Sequence, residues 1–423
     1  MAADIAASVP DGPKAPALTT ADGIPLKAAL ARAQSRAKKR AFLLVAPLLL
    51  FVVITFIVPI GQMLFRSMYH DGFSANAPGA SEWLLANDIE PDEAFYAALA
   101  QDFKNMKANR TAGEAGTRVN YTMPETRSLF TKTARDADKM QPPYKEAFLK
   151  VDPKWADPAV IQAMRSSATG YTSDFYLAGL DLKRGADGHI ERVPEVQRVY
   201  IYLYIKTFIL SALITVICLL LAFPVAHLLA TLPMAKANLL MILVLLPFWT
   251  SLLVRTTSWI VLLQGQGVIN QSLVSMGLIS DGNRLNMIYN MTGTIIVMVH
   301  ILLPFMILPL YSVMRVIPPS YARAARSLGA TSWTTFRRIY LPQTLPGMGA
   351  GAMLVFILAV GYYITPALVG GADGQLFSNL IQVHMRNSNW SMAAALSSML
   401  LVGVLVLYWL YDRLVGVDNL KLG

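Results

Sequence analysis

The hydrophobic pattern of the chain is dominated by six long runs that carry almost no charge. An α-helix needs roughly 20 residues to cross the hydrocarbon core of a bilayer, and each run reaches that length. The runs cover residues 41–66, 207–232, 237–263, 291–314, 344–368 and 390–411. The sequence therefore predicts an all-α polytopic membrane protein with six transmembrane helices.

The polar stretches between these runs divide the chain into segments. Residues 1–40 are rich in alanine and proline and end in bases, which predicts a flexible basic cytoplasmic tail. The first span, 41–66, is too long for the apolar part of a signal peptide and is interpreted as a retained anchor. A large insertion, 67–198, follows it. Five further spans form a core at 199–417, and 418–423 is a short cytoplasmic tail.

The insertion is predicted to be mostly helical. Its stretches 91–110, 124–140, 143–151 and 158–167 each begin at a proline and continue with helix-forming residues, a pattern typical of proline in a first helical turn. Aromatic residues within the insertion are candidates for a small core. They are Trp83, Phe95, Tyr96, Phe103, Phe130, Tyr144, Phe148, Trp155, Tyr171, Phe175 and Tyr176.

Composition supports a membrane protein and excludes several other classes. Apolar residues make up 55% of the chain, charged residues 15%, and mean hydropathy is +0.46, which argues against a water-soluble protein. The net charge of +10 comes from bases that flank the spans, so nucleic-acid binding is not expected. The single cysteine, Cys218, permits neither an intrachain disulfide nor a cysteine-based metal site. We find no catalytic motif, and no cofactor is expected.

The distribution of bases predicts the orientation. With both termini in the cytoplasm, 15 Lys and Arg residues lie in short cytoplasmic segments and three in short outer loops. The insertion then lies outside, which in a bacterium is the periplasm. This places the chain in the bacterial inner membrane.

The segment 318–342, between the fourth and fifth runs, is unusual for a simple connector. It reads PPSYARAARSLGATSWTTFRRIYLP and contains no acid. Ser320 is a candidate cap for a short helix over 321–328, and Gly329 suits the left-handed end of that helix. Thr331 or Ser332 is a candidate cap for a second helix, which Pro342 is expected to stop before the fifth span.

At these residues the chain resembles the inner-membrane permeases of binding-protein-dependent ABC importers. Their signature is Glu-Ala-Ala, three residues, Gly, nine residues, Ile, one residue, Leu-Pro. The matching residues here are Ala324, Ala325, Gly329, Ile339, Leu341 and Pro342, whereas Arg323 replaces the leading Glu. Segments 246–259, 364–371 and 389–397 look most like the polyamine-type branch, and the insertion is outside the usual family pattern.

The resemblance implies a mechanism and a set of partners. In this family the loop docks on a cytoplasmic ABC ATPase dimer, and closure of that dimer on ATP tilts the spans. We expect Arg323, Ala324, Ala325, Arg326, Leu328 and Gly329 to take part in this contact. A second permease subunit and a periplasmic substrate-binding protein are implied as well. The chain has no GxxxxGK[ST] phosphate loop, so the ATPase is expected to be a separate polypeptide and the chain itself not an enzyme.

Candidate pathway residues lie within the spans. Arg255 is the one charge well inside a span, and it either lines the pathway or has a structural role. Trp249, Trp259, Tyr362 and Tyr363 are candidates for an aromatic cage around an ammonium group, although aromatic residues in spans are more often packing residues or interfacial anchors. His227 and His300 have no ligand partners at metal-binding spacing, which favours packing with a hydrogen bond and no metal site.

The transported solute is predicted less directly than the class. A polyamine such as spermidine or putrescine is the leading expectation, and an opine, an amino-acid derivative, thiamine or iron are alternatives within the same class. An ion-coupled secondary transporter is less favoured because none of the six runs contains Asp or Glu. A membrane-anchored periplasmic domain is less favoured because an anchor has no need of the 318–342 loop.

Overall fold

The computed structural model describes residues 26–87, 90–185 and 189–415. Tail 418–423 and most of tail 1–40 lie outside this range. The chain divides into two units, Met1–Gln62 and Met63–Gly423. Within the described residues, five helices are long and apolar enough to cross a membrane, or six if one sharply bent pair is counted as a single span.

The described part of the first unit, from Leu26 onward, is helical. Helix α1, Leu26–Val52, passes through a π-helical turn at Val53–Ile57 into α2, Val58–Met68. The part of the predicted tail from Leu26 onward is therefore helical, consistent with its many alanine, lysine and arginine residues. The wide turn ends two residues before Pro59, and the N–H of Val58 donates to the carbonyl of Val53.

In its described residues the insertion contains seven α-helices, three short 3₁₀ helices and one hairpin. The helices are α3, Pro78–Ala86; α4, Glu93–Asn109; α5, Ala112–Asn120; α6, Thr126–Asp136; α7, Tyr144–Val151; α8, Pro158–Ala168; and α9, Asp174–Gly179. Strands β1, Leu182–Arg184, and β2, Ile190–Arg192, pair antiparallel.

The four helices expected after prolines are all present, as α4, α6, α7 and α8. Side-chain caps define two of their starts, since Asp92 accepts from the Phe95 N–H at 3.0 Å and Asp157 accepts from the Ala159 N–H at 2.9 Å. Helices α3, α5 and α9 and the hairpin were not predicted. The prediction of a mostly helical insertion is confirmed for the described residues.

The aromatic core of the insertion forms largely as expected. Six predicted members are buried together with alanine, leucine and methionine side chains; they are Phe95, Tyr96, Phe103, Phe130, Phe148 and Trp155, with Trp83 and Tyr144 packed at the edge. Tyr171 is a wrong prediction, since it is 67% exposed. Phe175 and Tyr176 belong to a different cluster, because α9 turns towards the helices that follow the insertion.

One arginine is fully buried beside this core. The Arg118 guanidinium is 3.5 Å from the Asp174 carboxylate and lies over the ring of Phe175. Arg184 holds the other oxygen of Asp174 at 3.0 Å. Burial lowers the pKa of Arg118, and the Asp174 carboxylate opposes that effect. The ion pairs fasten α5 and the hairpin to the start of α9.

The remaining helices form the core of the molecule. They are α10, Tyr200–Thr231; α11, Met234–Leu245; α12, Leu252–Leu263; α13, Val268–Ser275; α14, Met291–Val316; α15, Pro319–Ser327; α16, Ser332–Thr335; α17, Leu341–Gly361; α18, Ile364–Val369; α19, Phe377–Arg386; and α20, Trp390–Val415. Helices α10, α14 and α17 pack around one apolar cluster that includes Cys218, Leu302 and Val355.

Two of the predicted spans are interrupted. The third is not one helix, because α11 gives way to a 3₁₀ turn at Leu246–Trp249 and the chain bends by 97° before α12 and α13. Pro247 removes a helical donor at this point, and Ser251 starts α12 as its N-cap. The fifth ends at Gly361, and α18 begins separately at Ile364.

The insertion is fastened to the core through α9 and the hairpin. Phe175 packs with Phe377 and Leu396, and a Cβ on Gly179 would lie 2.7 Å from the sulfur of Met399. The buried Asp181 carboxylate accepts the first N–H groups of α10, with oxygen–nitrogen distances of 2.9 to 3.1 Å. The start of α10 is therefore capped by the insertion.

Candidate functional site

The loop 318–342 folds as two helical segments joined by a glycine turn. Its first helix, α15, begins at Pro319 and has no side-chain cap. The expected cap at Ser320 and start at residue 321 are therefore wrong. Proline is suited to the first helical position because its fixed φ matches the helix and no N–H is left unpaired there.

The turn itself matches the prediction. Gly329 has φ +86°, in the left-handed region that glycine favours, and the N–H of Ala330 donates to the carbonyl of Ala325 at 3.0 Å. The Thr331 hydroxyl then accepts from the N–H of Thr334 at 3.2 Å, so Thr331 caps the second segment. Hydrogen bonds within the loop therefore pair backbone groups on both sides of the turn.

The second segment does not stop at Pro342. Helix α16 passes into a π-helical turn at Phe336–Tyr340 and on into α17, so Ser332–Gly361 is one continuous helix. In an α-helix the ring of Pro342 would clash with the carbonyl four residues back. The wide turn, in which the Leu341 N–H donates to the carbonyl of Phe336, accommodates the ring. The same arrangement precedes Pro59.

Apolar and cationic side chains of the loop are exposed together. Leu328 is 89% exposed and Trp333 is 68% exposed. Arg323, Ala324, Arg326 and Gly329 are exposed, Ala325 is half-buried, and Leu341 and Ile339 lie at the base where the second segment meets the core. Arg323 and Arg326 have no ion-pair partner within the described part of the chain. The loop therefore exposes apolar and cationic side chains together.

Hydrogen bonds to α10 lie on both sides of the loop, one just before it and one near its end. Arg315, at the end of α14, donates to the carbonyl of Ala230 at 2.9 Å. At the other end, the Tyr340 hydroxyl is hydrogen-bonded to Nδ1 of His227 at 2.9 Å. The predicted hydrogen-bonded packing role of His227 is confirmed.

An aromatic stack continues from this bond to the exposed surface. The rings of Trp333 and Phe336 are stacked at 5.7 Å, those of Phe336 and Tyr340 at 6.1 Å, and Phe223 of α10 packs edge-on against Phe336. Sequence reasoning missed Phe336 and Tyr340. Phe336 lies three residues after Trp333, and Tyr340 lies four residues after Phe336. This spacing places the three rings on one face of a helix and was the available signal.

The second candidate region lies between α12, α14 and α17. The indole N–H of Trp259 donates to Nδ1 of His300 at 3.0 Å, which confirms the hydrogen-bonded role expected for His300. The Arg255 guanidinium lies near the side chains of His300 and Tyr362. The Nε of Arg255 is buried and has no hydrogen-bond partner among the described residues. Arg255 thus lies in a half-buried cluster whose polar groups are mostly donors.

The other two aromatic candidates lie outside this cluster. Trp249 is 73% exposed and Tyr363 is 42% exposed, and no ring contact within the described residues joins either of them to Trp259 or Tyr362. The backbone at Tyr362 and Tyr363 is instead held from α19. Ser378 donates to the carbonyl of Tyr362, and Asn379 donates to that of Tyr363 at 2.8 Å. Sequence analysis did not identify Ser378 or Asn379.

Comparison with known proteins decides the class of the molecule. Residues 196–416 match the family described as "Binding-protein-dependent transport system inner membrane component". The chain belongs to this family. It is an inner-membrane, multi-pass transport permease, and the match covers α10 to α20 together with the loop 318–342. The insertion lies almost entirely outside the matched residues.

Individual relatives of the permease are similar over about half of the chain. It is 37% identical over 211 residues to the spermidine/putrescine transport system permease protein PotB of Escherichia coli (strain K12), covering 49% of this chain and 76% of the relative. It is 38% identical over 213 residues to PotB of Haemophilus influenzae, covering 50% and 74%. A bacterial ABC transporter for import of the acidic polysaccharide alginate aligns at 17% identity with a TM-score of 0.48, over 70% of this chain and 99% of that one.

Proposed function

We propose that this permease has six spans, with both termini in the cytoplasm and the insertion in the periplasm. The broken segment α11–α13 counts as one span in this topology, which brings the number of spans to six. The insertion and the loop 318–342 then lie on opposite sides of the membrane. The excess of Lys and Arg in the short segments on the loop's side supports this orientation.

We further propose that the loop 318–342 couples the permease to a cytoplasmic ATPase dimer. The observation that carries this is the exposure of Leu328 and Trp333 on a loop that is bonded to α10 through Tyr340. A partner that binds the loop buries Leu328 and Ala325. Movement of the loop then passes to α10 through Tyr340 and to α17 through the continuous helix. Arg323 and Arg326 pair with acidic or carbonyl groups of the ATPase.

The complete importer contains further subunits in this proposal. A second, different permease completes the translocation pathway, and a periplasmic binding protein delivers the solute to the insertion's side. ATP hydrolysis takes place in the ATPase subunits alone. Membrane lipid surrounds the assembly.

The proposed solute is a polyamine such as spermidine or putrescine. Support comes from the relatives at 37–38% identity that are named as spermidine/putrescine permeases. The family match at residues 196–416 includes the helices that hold Arg255, Trp259 and Tyr362. These three residues are the proposed pathway contacts in this chain, and Trp249 and Tyr363 contribute from the exposed segments at the two helix breaks.

A second candidate is a solute that carries a carboxylate, such as an opine or another amino-acid derivative. The observation that favours it is the cluster around His300. The Trp259 indole is a donor only, so Nδ1 of His300 accepts and its proton lies on Nε2. Arg255 also only donates, and donors of this kind match an acceptor group on the solute.

The coupling proposal is tested by Ala325→Trp in proteoliposomes that contain the complete importer. We expect ATP-driven uptake to be abolished while membrane insertion is unchanged. Ser320→Trp, on the exposed first turn of the same helix, is the matched control and should retain uptake. Unimpaired uptake by Ala325→Trp, or crosslinks from position 325 to lipid alone, would contradict the docking assignment.

The substrate is tested in the same vesicles with labelled spermidine, putrescine and octopine. Uptake of a polyamine that unlabelled polyamine suppresses supports the first candidate. Uptake of octopine alone supports the second and overturns the first. Uptake that continues without ATP on an ion gradient contradicts the importer mechanism itself.

A further inference from the structure

A groove of about 540 Å³ lies where the hairpin of the insertion meets the start of α10. Its apolar lining comes from Leu180, Leu182, Ile201 and Tyr202, and Arg192 and Arg198 line it as well. Leu180, Ile201 and Tyr202 are each more than 40% exposed. The groove therefore combines open apolar surface with concentrated positive charge.

The two arginines have unused donors. Arg192 has no hydrogen-bond or ion-pair partner in the described part of the chain. Arg198 uses Nε to donate to the carbonyl of Val193 at 2.7 Å, and its two terminal nitrogens have no partner there. The one acid of the groove, Asp181, is buried and accepts three N–H groups of α10. The Asp181 carboxylate is therefore engaged elsewhere, and the charge presented to the groove is positive.

The apolar wall of the groove continues down the surface of α10. Ile201, Ile205 and Ile209 are spaced four residues apart, so they share one face of the helix, and they are 41%, 53% and 64% exposed. In a membrane permease such a strip along a span faces acyl chains. Beside the groove, Val196 is 97% exposed, which is unfavourable for a valine in water and favourable in the interfacial region of a bilayer.

A third cation lies at the same level. Nζ of Lys206 is 5.6 Å from the centre of the Tyr202 ring. Tyrosine and long basic side chains are typical of the depth at which headgroups meet the hydrocarbon. The groove is thus placed at the headgroup level on the insertion's side of the membrane.

We propose that this groove binds one phospholipid with an anionic headgroup, taken from the leaflet on the insertion's side. The phosphate oxygens accept from the guanidinium groups of Arg192 and Arg198, whose fork geometry matches phosphate. One acyl chain lies against Leu182 and follows the strip from Ile201 to Ile209. This site is separate from the loop 318–342 and from the Arg255 cluster, and it goes beyond the transport role.

The test is native mass spectrometry of the intact importer, released from phosphatidylglycerol-containing membranes in mild detergent. Arg192→Gln combined with Arg198→Gln should reduce the retained phosphatidylglycerol at this site about tenfold or more, since each basic residue contributes to attraction of anionic lipid. Lys183→Gln is the matched control. Lys183 is an exposed base on the same hairpin and lies outside the groove, so its loss should leave lipid retention unchanged.

Two further arms separate the lipid from other occupants. Leu182→Gln should weaken phosphatidylglycerol retention while leaving binding of soluble glycerol phosphate unaltered, because only the lipid uses the apolar wall. Equal retention by the double arginine variant and by the unmodified importer overturns the proposal. So does displacement of the lipid by glycerol phosphate at the same concentration in Leu182→Gln and in the unmodified importer, which identifies a plain anion site. Release of the second permease by the double variant, with no change in lipid, assigns the groove to a subunit interface.

Discussion

The hydroxyl group of Tyr176 lies 2.8 Å from Oγ of Ser398. The same hydroxyl is 2.7 Å from Oγ of Ser67, at the end of α2. One phenol of the insertion thus joins the segment that enters the insertion to α20, the last helix of the core. This bond and the Asp181 cap fix the insertion on the permease at points far apart in sequence.

Replacing Tyr176 with phenylalanine keeps the ring and removes both hydrogen bonds. We expect the free energy of unfolding to fall by about 1 kcal/mol or somewhat more, because two serine hydroxyls lose a partner in a partly buried place. Thermal unfolding of the purified permease measures this. Tyr171→Phe is the control, because the Tyr171 hydroxyl has no hydrogen bond among the described residues. Equal melting temperatures for the two variants would contradict the bridging role.

Asp181→Ala should destabilise the start of α10 by about 2 kcal/mol, because three backbone N–H groups lose a charged acceptor. Asp181→Asn retains one acceptor oxygen and should cost less. Hydrogen exchange at residues 199–201 reports the effect locally. If exchange there is the same in both variants and in the unmodified permease, the carboxylate is not the cap.

Gly329→Ala tests the geometry of the loop without adding a clash. A Cβ at Gly329 meets nothing within 4 Å, so the cost of about 1 kcal/mol arises from the left-handed backbone alone. Gly277 has φ +70° and the same open surroundings, so Gly277→Ala is a matched control. We expect both variants to lose similar stability and only Gly329→Ala to lower uptake per ATP hydrolysed. A lowered ratio in both would indicate a general effect of stability.

Tyr340→Phe removes the hydrogen bond to His227 and keeps the aromatic stack. A bond of about 1 kcal/mol that transmits loop movement to α10 corresponds to a change of about fivefold in uptake. The measurement is ATP-driven uptake at constant ATPase activity in proteoliposomes. Tyr321→Phe is the control, because Tyr321 is 52% exposed on α15. Unchanged uptake in Tyr340→Phe would show that the Tyr340–His227 bond transmits nothing.

The insertion should lose stability as the pH falls below neutral. Burial, and then the charge of Arg118, lower the pKa of His70 below its ordinary value, while the nearby Asp71 acts in the opposite direction. Its Nδ1 also accepts from the Gly72 N–H at 3.2 Å, which a protonated ring cannot do. Because the unfolded chain takes up the proton at higher pH, stability decreases as the pH falls between the two pKa values. His70→Gln should flatten the dependence of melting temperature on pH between 7 and 5.

Local signals in the sequence predicted the insertion well and the helix breaks poorly. Proline at a first turn and glycine at a helix end act through their own backbones, so the starts near Pro91 and Pro158 and the turn at Gly329 were predictable. The break at Tyr362 depends on Ser378 and Asn379, which are distant in sequence and supply partners for the freed carbonyls. An apolar run contains no sign of such partners, so it reads as one span.

Proline was misleading where the helix adjusts to it. Pro342 was expected to end a helix, yet a wide turn absorbs its ring, as happens before Pro59. The cluster around Arg255 was predicted only in part, because its contacts join residues of different helices. Arg255 was found from its charge alone, whereas its neighbour His300 is defined by a contact with Trp259 across two helices.

The unbroken helix from Ser332 to Gly361 is long enough that a small tilt at one end moves the other end by several ångströms. Its 30 residues span about 45 Å at 1.5 Å per residue, so a tilt of ~5° at its base moves the far end by ~4 Å. That far end is the glycine before Tyr362, beside the Arg255 cluster. A small rotation at the loop 318–342 therefore displaces the residues beside the Arg255 cluster by about the same distance.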